Sequence, residues 1–131
     1  MYKKDMIWVA TATLIYPQTS PTHLVTEENI VREIARLFQD TITPVMLRQH
    51  LVSWEKRQQN PNYPPAGGIR DRYLFRTEDG LIPSGGGDYR LYKQIDSQYD
   101  GPDKRGPIHP DPNEVQQPYQ YLLDWYKSTY F

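Results

Sequence analysis

The residues best suited to chemistry lie in one stretch: Arg48, Gln49, Ser53, Lys56 and Arg57, followed by Arg70, Arg72 and Arg76. Arg and Gln carry forked donors and acceptors that match base edges in the major groove of DNA. Ser, Lys and the later arginines suit phosphates, which position a protein without reading sequence. Val52 shares the helical face of Arg48 and Gln49 and offers an apolar surface to a thymine methyl. The plain alternative is a solvated helix face, since any surface helix carries such residues. Gly67 and Gly68 stand just before Arg70, so backbone amides can approach a phosphate where two arginines supply charge. This is not a P-loop, because the Gly-Lys-Ser/Thr ending and the following helix are missing. The same residues also read as a release into a strand, with Arg70 and Arg72 paired to nearby acids.

Catalytic patterns are weaker. His23, His50 and His109 are far apart and share no metal-ligand spacing. Asp96, Asp100 and Asp103 miss the alternating oxygen pattern of a calcium hand, have Lys104 and Arg105 beside them, and read as a solvated turn. Serine nucleophile motifs and dinucleotide fingerprints are absent. The expectation is a protein with no catalytic residue, no metal and no cofactor. Tyr63, Tyr73, Tyr89, Tyr92 and Tyr99 are candidates for stacking on bases, though hairpin aromatics more often cover a core.

These residues must be positioned by a chain of 131 residues, enough for one domain with an appendage. The net charge is −1, but its distribution is uneven. Between residues 48 and 76, six basic side chains face Glu55 and Asp71, for a net of +4. From residue 77 onward five basic residues face nine acidic ones, a net of −4. A basic patch, rather than a total, is what attracts phosphate. There is no cysteine, which removes disulfide and thiolate chemistry. The apolar run after Lys3 and Lys4 is interrupted by Thr11 and Thr13, and no stretch is long enough to span a bilayer. A soluble, cytoplasmic protein without membrane contact is expected.

Residues 5–16 predict a helix stopped by Pro17, with Met6, Ile7, Ala10 and Leu14 on one face and a strand as the competing pattern. Leu24 and Val25 suit a very short strand. Thr26 is a good N-cap for a helix over 26–38, with Glu27 and Glu28 at its positive end and Ile30, Ile34, Leu37 and Phe38 as its stripe. A turn over 39–42 leads to a second helix capped by Thr43 with Pro44 at its first position. Leu47, Leu51 and Trp54, with His50 beside them, face inward, and Val45, Arg48, Gln49, Val52, Ser53 and Lys56 face outward. Residues 58–68 are irregular by their Pro, Asn and Gly content. Tyr73–Arg76 and Tyr89–Lys93 alternate and pair as a hairpin, with a glycine-rich connection over 77–88. A polar linker then precedes an aromatic helix over 114–130 whose regular part begins near Gln117.

Helix, turn, helix and hairpin follow in that order. The chain therefore resembles the winged helix-turn-helix superfamily over residues 26–93, and looks like small prokaryotic winged-helix proteins without assigned function. The residues that carry the resemblance are His50-Leu51-Val52-Ser53-Trp54, Arg72-Tyr73-Leu74-Phe75-Arg76 and Tyr89-Arg90-Leu91-Tyr92-Lys93. It implies an α+β fold with a C-terminal helical extension: a winged-helix domain over 1–95, then a linker and helix over 96–131 that pack on the domain or on a dimer partner. It also implies a recognition helix over 43–57 and a wing tip over 80–88. The function it implies is regulatory, non-enzymatic binding of duplex DNA as a dimer. Arg48 and Gln49 would read bases, and Ser53, Lys56, Arg57, Arg70, Arg72 and Arg76 would hold phosphates. Winged helices also serve protein contacts, so a protein–protein interaction module without DNA affinity is the alternative.

Overall fold

The computed structural model describes residues 1–17, 24–50, 71–76, 88–99 and 106–131. Among the described residues, four α-helices and a small antiparallel sheet make an α+β fold. The chain runs α1 (Lys3–Ile15), β1 (Val25–Thr26), α2 (Glu27–Phe38), α3 (Pro44–Gln49), β2 (Leu74–Arg76), β3 (Asp88–Leu91) and α4 (Gln120–Tyr130). Among the described residues between β3 and α4 lie the 3₁₀ segments Gln94–Tyr99, Pro112–Glu114 and Gln117–Tyr119.

The helix pattern, not the strand pattern, holds over residues 5–16, but the single buried face does not. Ile7, Trp8, Val9, Ala10, Thr11, Ala12 and Ile15 are all buried, whereas Met6 and Leu14 are only partly covered. A helix that is apolar all round belongs inside, and α1 is that element: α2, the sheet and α4 all pack against it. Its two mid-helix threonines are satisfied locally, Thr11 Oγ1 donating to Ile7 O and Thr13 Oγ1 to Val9 O, each at 2.8 Å.

The caps fall where the side chains demand. Thr26 accepts from Asn29 N at 3.1 Å and opens α2, and Thr43 accepts from Met46 N ahead of Pro44. Between them, Gln39 closes α2 in the left-handed region (φ 52°), donating its N–H to Ala35 O. Ile30 and Ile34 are fully buried on α2, while Leu37 and Phe38 are only partly so. Leu47 anchors α3 to the core. Leu51 and Trp54, predicted to extend that anchor, lie outside the described residues.

The sheet order is β1-β3-β2, all antiparallel, with Val25 opposite Tyr89 and Leu74 opposite Leu91. Tyr89 and Leu91 enter the main core, and Phe75 packs on the other side with Tyr92 and Ile108. Residues 80–87 of the predicted wing tip lie outside the described residues, and its last residue, Asp88, opens β3 opposite Thr26. After β3 the expected solvated turn is corrected at Asp96. It is 1% exposed, accepts from both Arg90 NH groups at 2.7 and 2.8 Å and from Lys93 N at 2.7 Å, and so closes the turn. Asp100 and Asp103 lie outside the described residues.

The C-terminal helix begins later than expected, at Gln120, because Pro112 and Pro118 break the preceding stretch into 3₁₀ turns. Its apolar residues Leu122, Leu123, Tyr126 and Tyr130 join the same core as α1, with Trp8 and Tyr126 edge-to-face at 5.5 Å. The Tyr126 hydroxyl donates to Tyr92 O, tying α4 to the end of the hairpin. No helix among the described residues is long and apolar enough to cross a membrane.

Candidate nucleic-acid interface

The outer face of α3 is built by its short length and its two ends. Leu47 is buried, so Val45 and Gln49, two residues to either side, point outward; Val45 is 58% exposed and Gln49 is exposed. Ser53, Lys56 and Arg57, which would continue this face, and Arg70 lie outside the described residues.

Arg48 faces α2 rather than open solvent. Its Nε and a terminal NH donate to the two carboxylate oxygens of Glu27 at 3.0 and 3.3 Å. Glu27 Oε1 also accepts from the Tyr89 hydroxyl at 2.6 Å, so one carboxylate joins α2, α3 and β3. The hydrogen bond to Glu27 holds the Arg48 guanidinium still more firmly in its charged form. Burial, aided by the same carboxylate, pushes the Tyr89 phenol above its ordinary range, so it stays a donor.

Among the described residues, the other predicted cations also have internal partners or covered positions. Arg72 donates from Nε to Gly106 O at 2.8 Å and lies 5.2 Å over the Tyr92 ring, while its backbone N–H donates to Pro107 O. Arg76 is 4% exposed and sits opposite Tyr89 in the sheet. Arg90, which flanks the predicted wing, is clamped by Asp96 and stands 4.5 Å over the Phe75 ring. Tyr73, Tyr89 and Tyr92 are buried, which removes their faces from base stacking.

His50 ends α3. Its Nδ1 lies 3.4 Å from Asp71 Oδ2, its ring stacks on Tyr73 at 6.0 Å, and its carbonyl accepts from Leu74 N. This is the inward-facing histidine expected from its place on the helix. Among the described residues no three His, Asp or Glu side chains come together to hold a metal ion.

The structure thus brings Arg48, Arg72 and Arg76 into the fold's own framework and leaves Gln49 and Val45 outward. Sequence reasoning missed the Glu27 hub, the Arg90–Asp96 clamp and the burial of Asp5. Only the last carries a local signal, an acid placed directly before a run of apolar residues. Compared with known proteins, the chain matches no family model, no curated protein and no solved structure.

Proposed function

We propose that the chain is a winged-helix protein that binds duplex DNA without catalysing a reaction, and that α3 with the residues after it is the DNA-facing element. The observation that carries this reading is the element order α1-β1-α2-α3-β2-β3 with sheet order β1-β3-β2, in which two capped helices lead into a hairpin. The outward Gln49 and Val45 support it, because a helix entering a groove needs a polar fork and an apolar contact on one side. In this reading Gln49 contacts base edges, and Ser53, Lys56, Arg57 and Arg70 meet phosphates. Arg48, Arg72 and Arg76 support the interface from within instead of touching DNA.

The division of labour is tested by gel shift on a panel of duplexes. Gln49→Ala should change the ranking of duplexes, each lost bidentate contact removing about 1–3 kcal/mol of discrimination. The double variant Lys56→Ala/Arg57→Ala should weaken all duplexes alike and flatten the salt dependence by about two units of slope. Affinities unchanged in both variants would remove α3 and its continuation from the interface.

A second reading, a protein interaction module, is favoured by one observation. Tyr16 meets Tyr121 and Trp125 edge-to-face at 5.2 and 5.4 Å, yet Tyr16 and Tyr121 remain 41% and 46% exposed. Exposed clustered aromatics of this kind suit a protein contact, including a second copy of the chain.

A further inference from the structure

Where α1 begins, a cavity of about 460 Å³ opens against the segment 107–114, lined by Tyr2, Asp5, Tyr73, His109, Asp111 and Glu114 among others. That volume lies in the range of small-ligand sites. Asp5 is 1% exposed, and its Oδ1 accepts from the Tyr73 hydroxyl at 3.0 Å. Its Oδ2 is equally buried and has no hydrogen-bond partner among the described residues. A buried carboxylate oxygen without a donor is costly, so it is relieved by a proton or by a donor on a bound molecule, a cationic donor most strongly. Burial accordingly pushes the Asp5 carboxyl above its ordinary range, against the opposing effect of the Tyr73 bond and Lys4.

The surroundings favour the cationic donor. Asp111 and Glu114 are exposed at the edge of the cavity. Lys4, which also lines it, lies 3.8 Å from Asp71. We propose that this cavity binds a small organic cation, an alkylammonium or guanidinium group, which donates to Asp5 Oδ2 while Asp111 and Glu114 balance its charge. Tyr2, which lines the cavity and is 61% exposed, adds a ring on which such a cation can lie. A bare metal ion fits less well, since the described residues gather no three His, Asp or Glu ligands. The proposal stands apart from the DNA reading and does not depend on it.

The same cationic group is supplied by a free amine or by a lysine side chain, so two probes are used: putrescine and a lysine-containing tripeptide, with 1-butanol as the neutral control. Binding is followed by calorimetry and by the ring resonances of Tyr73 and its stacking neighbour His50. Saturable 1:1 binding of either probe, with shifts at both rings and none with butanol, is expected; the probe that saturates identifies the source. Asp5→Asn should weaken it about tenfold or more, as expected for a lost charge-assisted bond. Glu114→Gln, at an exposed position that the fold tolerates, should weaken it about twofold to threefold. No saturation by either probe, or equal affinity for butanol, would overturn the proposal. Equal affinity in folded Asp5→Asn would do the same.

Discussion

Glu27 is the residue on which three elements meet. Its carboxylate takes two hydrogen bonds from Arg48 and one from Tyr89, and its side chain is only 13% exposed. Removing it would leave a guanidinium and a buried hydroxyl without their acceptor, so Glu27→Ala should cost about 2–3 kcal/mol in urea unfolding. Arg48→Ala, at a more exposed position, should cost about 1 kcal/mol. A loss of DNA affinity in Arg48→Ala without any loss of stability would return Arg48 to the DNA-contacting set. Asp5 gives a second test at this scale. Its carboxyl is raised chiefly by burial, with Glu114 and Asp71 adding to the rise and Tyr73 and Lys4 opposing it. The folded chain therefore holds this proton more tightly than the unfolded chain does. The stability it contributes is complete at low pH and is lost as pH climbs from about 4 through the folded value. The difference in Tm between Asp5→Asn and wild type should shift in favour of the variant as pH rises from about 4 to about 7. A difference that stays constant with pH would show that Asp5 titrates normally.

The turn between α2 and α3 sets the angle at which α3 is offered, and it contains the one non-glycine residue with positive φ among the described residues, Gln39. The left-handed conformation costs an L-residue about 1–2 kcal/mol, and glycine loses about 0.5–1 kcal/mol of its freedom on folding. Gln39→Gly should therefore raise stability by about 0.5–1 kcal/mol, measured by thermal unfolding; destabilisation would mean that the Gln39 side-chain bond to Arg36 O matters more. At this scale the sequence was readable where signals are local. Thr26, Thr43 and Pro44 marked helix starts, and Pro17 marked a stop, because caps act within one turn of chain. It was less readable where structure depends on distant partners. The burial of α1 on more than one face follows from being packed on several sides by α2, the sheet and α4, which no periodicity within residues 5–16 contains. Likewise the exposed-looking cations at 48, 72 and 90 met their acceptors at residues 27, 106 and 96.

At the scale of the molecule, α4 completes the core that α1 centres. Tyr126 is fully buried, touches Trp8 and hydrogen-bonds Tyr92 O, so Tyr126→Ala should cost about 3–5 kcal/mol as for other large buried aromatics. The charge pattern reads differently once partners are known. Of the basic middle, the part within the described residues serves the fold, and the proposed interface with DNA would rest on Gln49 together with Ser53, Lys56, Arg57 and Arg70. The most direct measurement is a fluorescence anisotropy titration of the whole chain against labelled random-sequence duplex, at about 50 mM and about 150 mM salt. The DNA reading predicts micromolar binding at low salt that weakens steeply at the higher concentration. No binding even at low salt would contradict it and favour the alternative reading, a protein contact at the exposed aromatic face.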